Sequence, residues 1–229
     1  DLVVGDITIS AASITDEYVD SADVAVSVTL NASSGDLTIG DITVVGGYSN
    51  SNSEVLDNFA TLTAWLDASA SGTVTVGNVD YSDYVSTADI DVSGYDGAAI
   101  IYAAQGDTTI TLNDGKNTVY LGDGADVVTV SENASSPLSL SGIDLVYNFE
   151  QGTDVIDAGL GGSDFSWGGT KSTFELFVTA AGNADYDAYA AKVGSNTFVA
   201  FDADGDDTVD FIVELVGSTA TLVASDLSL

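Results

Sequence analysis

"LNDGKNTVYLGDGADVVTV", residues 112 to 130, carries a spacing of nine. Gly115 is followed by Gly124, Val119 by Val128 and Asn117 by Asp126. The register extends back to Gly97 and Gly106 and forward to Gly142, with Asn133 at the intervening position. Four residues after each of these glycines stands an aliphatic: Ile101, Ile110, Val119, Val128 and Val146. Glycine fills 24 of 229 positions, so three further glycines in register arise by chance in roughly one start per thousand.

These residues resemble the RTX nonapeptide G-G-x-G-x-D-x-U-x, in which U is a large aliphatic. "GDGADVV" (122–128) fits with Gly122, Gly124, Asp126 and Val128; "NDGKNTV" (113–119) is a softer match, and "GIDLV" (142–146) matches the second half. The resemblance implies a parallel β-roll in which two nonapeptides make one turn. Six residues of each form a calcium-binding turn and three a short strand with its aliphatic inward. Residues 18 apart then stack one strand spacing apart, roughly 4.8 Å. Stacked carboxylates repel unless a cation lies between them, and calcium accepts about 6–8 oxygens, turn carbonyls included. Glycines allow the positive φ and close backbone approach that such turns need.

The Asp position of the repeat reads Ala99, Thr108, Asn117, Asp126, Ser135 and Asp144. Thr108, Asp126 and Asp144 are expected on one edge, and Ala99, Asn117 and Ser135 on the other. Asp126 and Asp144 are the two carboxylates 18 apart. A calcium site is therefore expected between their turns, with carbonyls around Asp123 and Gly124 completing it. Asp96, Asp114, Asn117 and Asp123 are further candidates to contribute. The turns that depart from the consensus argue against a full row of ions, and a metal-free solenoid with polar turns is the alternative.

"GIDLVYNFEQGTDVIDAG" (142–159) resembles the segment that closes RTX rolls, of the type aliphatic-x-x-F-x-x-G-x-D-x-I-D. Gly152 follows Gly142 by ten, so the register slips and the roll is expected to end here. Asp154 and Asp157 are candidates either for metal binding or for capping turns. In "FDADGDDTVDFIVELVG" (201–217), Asp202, Asp204, Asp206 and Asp207 surround Gly205, with Asp210 three residues on. Alternating acids of this kind wrap oxygens round one hard cation. The alternative is an acidic hairpin turn between "NTFVAF" and "VDFIVELV". The final "LVASDLSL", with the loop and strand before it, resembles the C-terminus of serralysin-type proteases and some bacterial surface-layer proteins. That resemblance, over about residues 95–229, implies an uncleaved signal for type I secretion. "NADYDAYAAKVG" (183–194) reads as a short helix or a loop insertion whose tyrosines pack.

Residues 1–92 read as a separate β-rich domain, with short alternating apolar runs between Gly, Asp, Asn and Ser. "LVVGDITIS" (2–10), "LTIGDITVV" (37–45) and "VTVGNVDYS" (74–82) form a weak repeat. Three hairpin corners of one β-sandwich are the favoured reading, and duplicated units the other. Val55, Phe59, Leu62 and Leu66 recur at helical spacing, with Ser53 placed to cap, which predicts a helix over 54–68 packed on a sheet. The expected architecture is mainly β: a sandwich-like domain with one helix, then over 93–229 a short parallel β-roll and a C-terminal β cap.

Composition narrows the function. The chain has 36 acidic residues, only six of them Glu, against 3 lysines and no arginine, for a net charge of −33. Such charge repels itself in a compact state. Bound divalent cations are the candidate to offset it, and high salt is the alternative. It also argues against nucleic acid and anionic membranes, which attract basic patches. There is no His, Cys or Met. That removes Ser-His-Asp and Cys-His catalysis, His-based zinc sites, haem and iron–sulfur ligation, and disulfides. No apolar run approaches the ~18 residues of a membrane span. Asp1 without a methionine or signal pattern points to a processed product or a fragment. The expectation is a non-enzymatic, secreted, calcium-binding protein at the bacterial cell surface. It would self-assemble into a surface layer, sheath or extracellular filament, with cell-surface polysaccharide as a second partner. The alternatives are a calcium-dependent adhesin or carbohydrate-binding module, with Trp65 and Trp167 as candidate platforms, and the C-terminal part of a secreted hydrolase using paired carboxylates.

Overall fold

The computed structural model describes residues 2–4, 7–10, 24–30, 37–39, 42–45, 60–68, 73–76, 87–95, 98–103, 106–113, 115–130, 140, 142–162, 164–183, 185–219 and 221–229. The chain is mainly β. Strands β1 (Leu2–Val4), β2 (Ile7–Ser10), β3 (Val24–Leu30), β4 (Leu37–Ile39), β5 (Ile42–Val45), β6 (Ala60–Ala68) and β7 (Thr73–Val76) occupy the N-terminal part. The glycine-spaced part holds β8 (Thr87–Tyr95), β9 (Ala98–Tyr102), β10 (Asp107–Thr111), β11 (Thr118–Tyr120) and β12 (Val127–Thr129). After it come β13 (Asp144–Tyr147), β14 (Val155–Asp157), β15 (Phe165–Lys171), helix α1 (Phe174–Ala181), β16 (Ala188–Val193), β17 (Asn196–Phe201), β18 (Phe211–Val216) and β19 (Leu227–Ser228).

Most strands belong to two large sheets, and β2 and β5 form a separate pair. One large sheet has the order β1-β4-β7-β9-β11-β13-β18-β17-β16-β15, the other β19-β14-β12-β10-β8-β6-β3. Every pairing is parallel except β16 with β17 and β17 with β18. The nine-residue register sets this pattern, because consecutive strands alternate between the sheets and every second one stacks. Ile101 lies against Val119, and Ile110 against Val128, each 18 residues on. The inward aliphatics form continuous rows. Ile101, Val119, Val146 and Leu215 line one sheet, and Ile90, Ile110, Val128, Ile156 and Leu227 line the other. All but Leu227 are fully buried, and each such side chain stabilises the fold by about 1.5–3 kcal/mol. On the outside, Tyr120 and Tyr147 stack with ring centroids 4.6 Å apart.

The roll does not end at Gly152. Val146 pairs onward with Leu215 and Ile156 with Leu227, so the C-terminal residues return to complete its sheets. Strands β16 and β17 are buried on both faces. Ala188, Ala190, Val199 and Phe201 face the main core, while Tyr189, Ala191, Phe198 and Ala200 face a second one beneath α1. Thr173 caps that helix, accepting from the Leu176 N–H, and Phe177 is its buried anchor. The segment 183–194, expected as a helix or loop, contributes strand β16. Its Tyr189 packs in the core, whereas Tyr186 is exposed.

The N-terminal part differs from its reading. The helix expected over 54–68 is not formed at 60–68, where β6 lies parallel between β3 and β8; residues 51–59 lie outside those described. Leu62 and Leu66 are four apart, a spacing that a helix and a strand both place on one side. The alternation Thr61, Leu62, Thr63, Ala64 is the strand signal that decides. The Gly-Asp repeats are not hairpin corners. β1 pairs with β4 in the register Leu2 to Leu37, and β2 with β5 in the register Ile7 to Ile42, both offsets of 35. Thr38 then meets Thr75, which aligns the third copy too. They are duplicated units stacked in parallel. The boundary at 92/93 falls inside β8, and strands from both sides of it belong to the same two sheets.

Candidate metal centre

Polar residues just before or at the start of several roll strands connect successive coils. Thr108 N–H donates to Asp126 Oδ1 at 2.8 Å, and Gly122 N–H, in the same turn as Asp126, to Oδ2 at 3.1 Å. Asp126 N–H donates to Asp154 Oδ1 at 3.0 Å, and Glu150 N–H to Asp154 Oδ2 at 2.7 Å. Gly152 N–H then donates to Asp226 Oδ1 at 2.9 Å, and Val223 N–H to Oδ2 at 2.8 Å. The other sheet repeats the device. Ala99 N–H donates to Asn117 Oδ1 at 3.1 Å, and Asn117 N–H to Asp144 Oδ1 at 2.7 Å. Asn117 Nδ2 also reaches the carbonyls of Asn113 and Gly115.

The expected pairing of Asp126 with Asp144 is thereby corrected. Asp126 precedes β12 in the seven-stranded sheet, and Asp144 opens β13 in the ten-stranded sheet. The partner of Asp126 is Asp154, 28 residues on, and the partner of Asp144 is Asn117, 27 back. Val119 pairs with Val146, 27 residues on, and Val128 with Ile156, 28 on, so counting by 18 assigns each residue to the wrong stack. Gly124 has a packing role, because a Cβ there would lie 2.3 Å from the backbone carbon of Gly106. Asp123 is exposed, and Asp114 lies outside the described residues. Asp157 Oδ1 accepts from Gly159 N–H at 3.1 Å, so it caps a turn.

Burial pushes the Asp126 carboxyl up from 3.8 to about 6 against the pull of its two N–H donors, and the charge of Asp154 adds to the rise. Burial likewise raises Asp144 to about 7, opposed by Asn117 and by Lys116. Asp154 is raised for the same first reason.

The acidic loop between β17 and β18 is built differently. Asp202 takes Gly205 N–H at 2.8 Å and Asp207 N–H at 2.9 Å on its two oxygens. Asp204 Oδ1 takes Asp206 N–H at 3.1 Å, and Asp210 Oδ2 takes Ala203 N–H at 2.7 Å. Gly205 and Asp207 adopt positive φ, 73° and 64°, which curls the chain. Each of Asp202, Asp204 and Asp210 offers an oxygen within 4.8 Å of the other two. Asp206 is outside this group and bonds to Thr208. Desolvation and then the charges of Asp206, Asp210 and Asp202 raise the Asp204 carboxyl. A hard divalent cation suits such convergent oxygens and relieves their repulsion. Among the described residues this is the place where three carboxylates meet. The loop is the hairpin turn between β17 and β18, and its geometry is compatible with a cation.

Beside the loop lies a cavity of about 220 Å³ lined by Asp164, Asp185, Tyr186, Asp187, Asp202, Gly205 and Asp207. Asp187 Oδ2 accepts from Asp164 N–H at 2.8 Å. Sequence reasoning passed over Asp164, Asp185, Asp187 and Asp226. The signal for Asp226 is an Asp placed directly before a strand aliphatic, as in Asp126, Asp144 and Asp154. The acids round the cavity come from three separated segments and left no local signature. Trp167 packs partly buried against the core, as a structural residue does.

No family model matches the chain, and no curated protein matches it. Among solved structures, it is similar to the solution structure of the AlgE6R3 subunit from the Azotobacter vinelandii mannuronan C5-epimerase. The identity is 23%, the match covers 62% of this chain and 72% of that one, and the TM-score is 0.42.

Proposed function

We propose that this chain is a secreted, calcium-binding structural protein of the RTX type, which self-assembles into a bacterial surface layer, sheath or extracellular filament and has no catalytic activity. The observation that carries calcium is the convergence of Asp202, Asp204 and Asp210. These residues would hold the ion, which would neutralise part of the −33 charge. Calcium outside cells is near millimolar, in the range of the weaker oxygen-ligand sites. Export would therefore coincide with ordering of the C-terminal hairpin. The self-repelling charge supports an assembly that forms only when cations are present. Isothermal titration with calcium tests the site, and electron microscopy with and without EGTA tests assembly. Particles that remain single subunits at millimolar calcium sink the assembly reading.

The cavity beside the loop favours a second reading, a calcium-dependent glycan-binding module. Tyr186 is 44% exposed at its rim, and carboxylates there offer acceptors for sugar hydroxyls. Cell-surface polysaccharide is the corresponding partner. A glycan array showing one defined sugar, with binding lost in Tyr186→Ala, would select this reading over the first.

A further inference from the structure

The ladder residues are arranged unlike a cation site. At Asp126 the groups that converge are N–H donors, from Thr108 in the preceding coil and Gly122 in its own turn. At Asp154 they are those of Asp126 and Glu150, and at Asp226 those of Gly152 and Val223. The positive ends of two peptide dipoles face each carboxylate, which makes each turn an anion receptor already filled by its own side chain. A calcium ion needs the reverse, negative oxygens converging on a point. All three carboxylates are buried, with exposures of 0%, 1% and 0%.

The chain contains its own control. Asn117 occupies the same repeat position, at 0% exposure, and its Oδ1 takes the same N–H, 18 residues back, as Asp126 Oδ1 does. Its second atom is an amide nitrogen, and there the turn presents the carbonyls of Asn113 and Gly115 instead of an N–H. A neutral side chain thus performs the coil-to-coil task, and the turn adapts to which group it receives.

We infer that Asp126, Asp154 and Asp226 on one sheet, and Asn117 and Asp144 on the other, form a metal-independent ladder that locks successive coils of the roll in register. Calcium is then confined to the hairpin loop, and only that assignment rests on the proposed function. The residues that the nonapeptide pattern offers as ligands here act as staples between coils.

The test uses the full chain, Asp126→Ala, and a loop variant carrying Asp202→Asn, Asp204→Asn and Asp210→Asn. Each is melted with calcium and with EGTA, followed by far-ultraviolet circular dichroism. Asp126→Ala orphans the buried N–H of Thr108 and the part-buried N–H of Gly122, so its Tm falls by about 5–15 °C, equally in both conditions. The loop variant keeps the strand signal in EGTA. A fall confined to calcium, or loss of strand signal from the loop variant on chelation, overturns the ladder. Should Asp126→Ala fail to fold, Asp126→Asn replaces it, and calcium titration decides. Unchanged calcium stoichiometry in Asp126→Asn supports the ladder, and loss of one ion overturns it. Absence of any calcium uptake by the parent chain overturns the loop assignment, a failure distinct from that of the ladder.

Discussion

In the turn before β12, one carboxylate, Asp126, sits fully buried between two backbone donors. In the loop between β17 and β18, three carboxylates, Asp202, Asp204 and Asp210, approach one another near the surface. The same residue type serves both places, and surroundings decide what it does. Where peptide N–H groups converge, the carboxylate is the guest. Where carboxylates converge, their oxygens suit a cation. Acidic content alone does not reveal which of the two a segment is.

The contrast is sharpest at glycine. Gly124→Ala places a Cβ into the backbone of Gly106, so it should destabilise by about 3 kcal/mol, a fall in Tm of roughly 6–12 °C. Gly205→Ala in the loop meets no neighbouring atom and pays only for its φ of 73°, about 1–2 kcal/mol. Equal effects in thermal melts would mean that the two turns do not differ as described.

The pH response separates the regions next. Folding raises the Asp126 and Asp144 carboxyls from 3.8 to about 6 and about 7. In the window between those values the folded state binds more protons than the unfolded one, so stability falls as pH rises. Without calcium, Tm should climb by several degrees on acidification from pH about 7.5 to about 5, opposite to ordinary acid denaturation. Asp144→Asn should flatten this slope. A Tm that falls steadily over the same range refutes the assignment.

Two smaller effects follow. Asp210→Asn should weaken calcium binding on the order of tenfold, read by titration, with little change in the apo melt. Asp157→Ala removes one exposed turn bond and should cost less than about 1 kcal/mol. A loss as large as that of Asp126→Ala would make the exposed cap part of the ladder.

How far the fold was legible follows from sequence distance. The rows Ile101 to Val119 and Ile110 to Val128 were readable because their spacing is uninterrupted. The partner of Asp126 was not, since β12 pairs with β14 at an offset of 28 residues and counting by 18 lands on Asp144 instead of Asp154. Leu62 and Leu66 misled because four residues is an even number, consistent with either period. The repeats at 2–10, 37–45 and 74–82 held the parallel stacking, but their offsets of 35 and 37 residues are unequal, so no fixed period stands out. The acidic loop was readable because its carboxylates lie within nine residues. Asp226 reaches back 74 residues to Gly152, and no local pattern announces such a partner.

Strand β18 is hydrogen-bonded to β13 on one side and β17 on the other, parallel to the first and antiparallel to the second. Asp144 therefore waits for Val213, and Ile156 for Leu227, some seventy residues later. Until those residues arrive, β13 and β14 present open edges of the kind that pair with other chains. Contacts so distant along the chain are slow to form. The earlier coils can zip locally, one short repeat after another, while closure of the roll is a late event that depends on residues 211–228.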